Sequence, residues 1–157
     1  MLNLKPEEDK KLRDLLTKIN EESKANITLL IDKAGQLISR SESPAFSSND
    51  ITFASLTAGN VAASEALSKL LGDESINHMF TETEKEGIYM VLISDKYILV
   101  SIFNKSVTNI GIVRFKIKKY QDELEKIISQ IEERAESEKS VSQEIDIEDI
   151  DLDTLFE

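Results

Sequence analysis

The sequence of 157 residues has no cysteine, no tryptophan, one histidine and two prolines. Without cysteine there is no disulfide framework, no thiolate nucleophile and no zinc–thiolate site. The single histidine, His78, cannot build a multi-histidine metal centre, and no paired-carboxylate motif stands in a pocket-like context. The five glycines, Gly35, Gly59, Gly72, Gly87 and Gly111, form no GxxxxGK[ST] phosphate loop, so the chain is not itself a GTPase of that kind. No stretch reaches the roughly 20 apolar residues of a membrane span. The opening MLNLKPEEDK lacks the apolar run of a signal peptide. The expectation is a soluble cytoplasmic protein of a reducing compartment, with no metal and no cofactor. Aromatic residues make up only 6%, but a hydrophobic content of 40% is enough to build a core.

A surplus of positive charge is also missing. The net charge of −11 argues against a nucleic-acid binder. The acidity is concentrated at one end: Glu136, Glu138, Glu144, Asp146, Glu148, Asp149, Asp151, Asp153 and Glu157 face a single base, Lys139. The rest is close to neutral, which marks a boundary near Ala135 between a domain, residues 1–135, and a tail, residues 136–157. Ser137 to Gln143 reads as a flexible linker. Beyond it, Ile145, Ile147, Ile150, Leu152, Leu155 and Phe156 interrupt the acids. Such alternation is typical of segments that order on a partner.

What is present is clear periodicity. Pro6 followed by Glu7, Glu8 and Asp9 opens a helix, and Leu12, Leu15, Leu16 and Ile19 give it one apolar stripe. Asn26 to Asp32 and Gln36 to Arg40 read as a hairpin turned by Gly35. After a serine-rich loop, Ser48, Asn49 or Asp50 caps a second helix that Gly72 stops. Asn77 to Thr83, Ile88 to Ser94 and Tyr97 to Phe103 are three further strands, the first two joined by a turn at Glu84-Lys85-Glu86-Gly87 and the last two by a two-residue turn at Asp95-Lys96. Those two are apolar on nearly every residue, which predicts helices on both faces of the sheet. The weaker strands belong at its edges, and His78 to Thr83, with Phe80 and Thr81, is the edge suited to pairing with a second copy. A third helix starts near Ser106 or Thr108 and carries a seam of Ile110, Val113, Ile117, Tyr120, Leu124, Ile127 and Ile131. A helix lying on the sheet or on the first helix explains that seam better than a two-chain coiled coil. Its basic cluster, Arg114, Lys116, Lys118 and Lys119, reads as a solvated face.

The second helix organises the rest. Phe53, Leu56, Ala63, Leu67 and Leu70 form one stripe, expected to be the core face. Beside it Ser55, Ala58, Gly59, Ala62 and Ala66 are all small, and Gly59 costs roughly 1 kcal/mol relative to alanine in a helix interior. This small row is expected to be a surface for association.

The order helix, hairpin, helix, three antiparallel strands, helix is the layout of the Roadblock/dynein light chain domain. The segments DKAGQLIS, SLTAGNVAASEALSKLLG, GIYMVLISDKYILVSIF and GIVRFKIKKYQDELEKI resemble the bacterial cell-polarity members of that family, with LTAGNVAA the most specific run. The terminal IEDIDLDTLFE resembles their C-terminal end as well. The resemblance implies an α+β sandwich with a five-stranded antiparallel sheet, in homodimers whose sheets join edge to edge. It implies that the paired central helices form a platform for one small Ras-like, MglA-like GTPase per dimer. Thr57, Ala58, Gly59, Ala62, Ala63 and Ala66 would then contact the GTPase, with Asn60 and Glu65 as polar neighbours. It further implies GTPase activation in bacterial polarity and motility, by making the GTPase reorder its own catalytic residues. That agrees with the arginines, Arg13, Arg40, Arg114 and Arg134, none of which lies on the central helix. The tail residues Ile147, Ile150, Leu152, Leu155 and Phe156 would dock on the GTPase and assist nucleotide exchange. Concentration at a cell pole and contacts with further polarity proteins are implied in the same way. The other reading is a Roadblock dimer that recruits a GTPase or motility component without changing hydrolysis.

Overall fold

The computed structural model describes residues 2–44, 46, 49–73 and 76–155. Its elements run α1 (Pro6–Ser23), β1 (Ile27–Asp32), β2 (Leu37–Arg40), α2 (Asp50–Leu70), β3 (His78–Glu82), β4 (Glu86–Ile93), β5 (Tyr97–Asn104) and α3 (Ile110–Leu155). The five strands form one antiparallel sheet in the order β2-β1-β5-β4-β3, so the two weakly apolar strands are its edges, as their composition predicts.

The helix starts follow from local chemistry. Pro6 opens α1, and the Glu8 carboxylate accepts the Lys5 backbone N–H at 2.9 Å. Asn49 caps α2 by accepting the Thr52 N–H at 3.3 Å. Asn109 caps α3 by accepting the Ile112 N–H at 3.0 Å, one residue beyond the expected start.

Alternation along the central strands sends side chains to two cores. Leu30, Tyr89, Ile93, Tyr97, Leu99 and Phe103 face α1 and α3; Ile27, Leu29, Ile31, Met90, Ile98, Val100 and Ile102 face α2. Helices therefore cover both faces. On the first face α3 buries Val113, Ile117, Tyr120, Leu124, Ile128 and Ile131 against the sheet and against Leu12, Leu15, Leu16 and Ile19 of α1. The seam is thus an intrachain packing surface, with Ile110 and Ile127 at its margin. Ion pairs lock the same two helices. Arg134 donates to both Glu8 oxygens, at 2.7 and 3.2 Å, and to Glu138 at 3.1 Å. Glu22 accepts from the Tyr120 hydroxyl, from Lys119 at 3.2 Å and from Lys116 at 3.4 Å. Half of the basic cluster is therefore engaged by α1 rather than solvated.

Three local expectations are corrected. The β4–β5 turn is centred on Ser94 and Asp95, at φ 54° and 58°, with the Lys96 N–H donating to the Ile93 carbonyl at 3.3 Å. Two successive left-handed residues match the twist of a hairpin, which a turn centred one residue later would not. Gly87 lies inside β4 opposite Phe103, not in the preceding turn. A Cβ there would stand 2.3 Å from Phe103 Cζ, so the ring occupies the place of a side chain. Finally, α3 has no break near Ala135: residues 137–143, expected as a linker, are helical and, like Glu144, exposed. What changes there is packing, because among the described side chains of α3 the last buried one is Ile131.

Candidate functional site

The second helix is held on the sheet at few points. Arg40 at the end of β2 pairs with Asp50 at the start of α2 and donates to the Ser43 carbonyl at 3.5 Å, tying the start of the helix to the end of the strand. Lys33 in the β1–β2 turn reaches Glu65 at 3.0 Å. Gly35, at φ +91°, brings that turn so close that a Cβ would meet the Ser55 Cα at 3.0 Å. These contacts orient α2 about its own axis.

That orientation turns the expected core stripe outward, while of the small row only Ala58 is buried and Ser55, Gly59, Ala62 and Ala66 stay exposed. The residues of α2 buried on the sheet are Ala54, Thr57, Ala58 and Val61. The stripe expected as core points outward: Leu56 is 70% exposed, Leu67 62% and Leu70 84%, with Ala63 exposed among them and Phe53 half-buried at the margin. Small residues let α2 lie close to a sheet already filled by Ile and Val side chains. The leucines are left for something else. Contiguous exposed apolar surface of this kind marks an interaction site.

The candidate contact residues divide accordingly. Thr57 and Ala58, at 4% and 7% exposure, are covered by the sheet and are not on the accessible surface. Gly59, Asn60, Ala62, Ala63 and Ala66 are exposed, while Glu65 is half-buried and engaged by Lys33. A Cβ on Gly59 would meet nothing within 4 Å, so the notch it leaves between Leu56 and Ala63 is open. Sequence reasoning missed Leu56, Leu67 and Leu70 as surface residues, together with Ile51 and Leu71, at 75% and 81% exposure. Their signal was present: α2 is apolar on more of its circumference than one core needs.

The other association element is β3. The Leu92 N–H bonds the Asn77 carbonyl and the Thr83 N–H bonds the Glu86 carbonyl. With His78 opposite Val91 and Phe80 opposite Tyr89, ladder alternation places the backbone groups of Met79 and Thr81 on β4. Those of His78, Phe80 and Glu82 point to the free edge. Thr81, expected among the edge residues, therefore spends its backbone within the sheet, and Glu82 takes its place. The Phe80 ring stacks on Phe103, with centroids 6.1 Å apart and planes 3° from parallel. The tail candidates Ile147, Ile150, Leu152 and Leu155 lie on the helical backbone of α3, but their side chains, like all of Phe156, are outside what the structure describes. No described helix is long and apolar enough to cross a membrane.

A family model described as the Roadblock/LC7 domain matches residues 11–103, from the middle of α1 to the end of β5. Among solved structures, MglB of Myxococcus xanthus is 38% identical, with a TM-score of 0.71 over 76% of this chain and 96% of that one. The gliding protein mglB of Thermus thermophilus is 27% identical, with a TM-score of 0.74 over 82% of this chain and 96% of its own. MglB with a tetrameric arrangement is 26% identical, with a TM-score of 0.76 over 83% and 96%. No curated protein sequence matches. With nearly the whole of each MglB chain reproduced, and the match running through α2 and β3, this chain belongs to the Roadblock/LC7 domain family.

Proposed function

We propose that the protein is a homodimeric, MglB-like activator of a small Ras-like GTPase of the MglA kind, acting in bacterial polarity and motility. The carrying observation is the outward stripe of α2. Leu56, Leu67 and Leu70 stand exposed around the open notch of Gly59, Ala63 and Ala66, on a fold that matches MglB over 96% of its length. Two copies joined at β3 would set two such helices side by side. The GTPase would sit on that platform, contacting Gly59, Ala62, Ala63 and Ala66 as well as the leucines.

Activation would then need no catalytic group from this chain. Arg13, Arg40 and Arg134 are held by Asp9, Asp50 and Glu8, and Arg114 belongs to α3, on the face of the sheet opposite α2. An arginine finger supplies roughly 10³–10⁵ in rate; here the effect would come from binding the GTPase conformation whose own catalytic residues are aligned. Residues 136–157 form the second functional unit in this reading, docking on the GTPase and assisting exchange.

Single-turnover GTP hydrolysis by the cognate GTPase, with and without this protein, tests the proposal. Acceleration that disappears in Ala63→Arg is the expected result. Binding with an unchanged hydrolysis rate would leave a recruiting scaffold and remove the activator.

A further inference from the structure

On the face of the sheet opposite α2, α3 stops short of β3 and leaves a cleft of about 330 Å³. Its floor is apolar, from Ile76, Tyr89, Val91 and Ile117, and its rim is polar. Arg114, Lys118 and Gln121 follow one another at spacings of four and three along α3, and Asn77, just before β3, and His78, at its start, face them. Among the described residues Asp95 is the one carboxylate on the rim. Arg114 and Lys118 are exposed, and among the described residues neither makes an ion pair, whereas Lys116 and Lys119 of the same cluster are taken by Glu22. An apolar floor beneath two uncompensated cations is complementary to a peptide that alternates large apolar side chains with acids.

The chain contains one such segment. Residues 145–157 read IDIEDIDLDTLFE, with no base among them. Its own α3 carries it away from the cleft, since the helix runs on without a break from Lys118 to Leu155 at ~1.5 Å per residue. A second copy can supply what the same copy cannot, and the free edge of β3 that would bring one alongside forms the cleft's border. We infer that the cleft between β3 and α3 receives the acidic, apolar C-terminal segment of the other protomer, so that the segment is held in trans until a partner competes for it. This rests on the homodimer reading above.

The absence of native cysteine makes the test direct. The full-length chain carrying both Lys118→Cys and Leu152→Cys is oxidised mildly, beside each single variant, and run on a non-reducing gel. Sedimentation of the reduced proteins establishes whether they are dimers. The expected result is a covalent dimer formed at least tenfold faster than in either single variant. Adding Arg114→Glu should slow that rate about tenfold, because an acid then replaces a base on the rim. A dimer by sedimentation whose thiols stay free, or whose disulfide closes within one chain, overturns the docking in trans alone. A monomer by sedimentation overturns the homodimer reading and the docking with it.

Discussion

Glu22 shows how one side chain ties two helices together. The Tyr120 hydroxyl, above all, holds its carboxyl down to about 2; burial opposes this, and Lys119 and Lys116 reinforce it. Because the folded value lies below the unfolded one, the contribution to stability is present above about pH 4.5 and is lost as the pH falls toward 2. Glu22→Gln should therefore lower the denaturant midpoint at neutral pH and flatten its fall between pH 5 and 2. Parallel profiles for the two proteins would show that the contact contributes nothing. Gly87 makes a different demand. Three atoms of the Phe103 ring lie within 2.8 Å of where its Cβ would be, so Gly87→Ala should cost about 1–3 kcal/mol in urea unfolding. Phe103→Leu in the same background should recover part of the loss. The sequence displayed that glycine plainly but suggested a turn. Only the pairing of β4 with β5 shows that a ring stands over it.

At the scale of the element, α2 carries the clearest expectations. Gly59 costs helix stability and touches nothing in its own chain. Gly59→Ala should therefore raise thermal stability, by roughly 1 kcal/mol, while weakening any partner that approaches the notch. A stabilised variant with unchanged self-association and GTPase activation would mean that the notch is unused. Leu70→Glu should leave folding within about 0.5 kcal/mol, because the side chain is already in water, yet reduce self-association or GTPase binding measurably. The existence and limits of α2 were legible from periodicity, its Asn cap and Gly72. Its facing was not. Side-chain size points to the leucines as the core face, whereas the sheet beneath already fills that space with large side chains and admits only Ala54, Thr57, Ala58 and Val61. The apolar residues of α2 exceed what one core needs, but the sequence does not say which of them meets the sheet. For α3 the seam is legible in the sequence, since the same spacing that suits a coiled coil also suits a helix lying on α1 and a sheet.

For the whole molecule, the layers and both sheet edges could be read from which strands are apolar on every residue and which are not. The pairing of alternate β3 residues needed the ladder itself. If two copies pair antiparallel about Phe80, the Glu82 N–H donates to the His78 carbonyl of the second copy, and symmetry repeats the bond. Glu82→Pro should remove both without touching β4, and raise the dimer dissociation constant in sedimentation equilibrium; an unchanged constant would place the dimer contact elsewhere. The strand order carries a further cost, one of timing. β1 is paired along its length with β5, Ile27 opposite Ile102, while β4 and β5 need only a tight turn between them. On a ribosome adding roughly 5–20 residues per second, β1 is made several seconds before its central partner exists. Ile27, Leu29, Leu30 and Ile31, destined for both faces of the sheet, wait through that interval with β2 as their only strand partner. The late β4–β5 hairpin is then the fast, local event, and capture of β1 by that hairpin is the slow, loop-closing one. Refolding should accordingly be limited by the step that joins the first strand to the last.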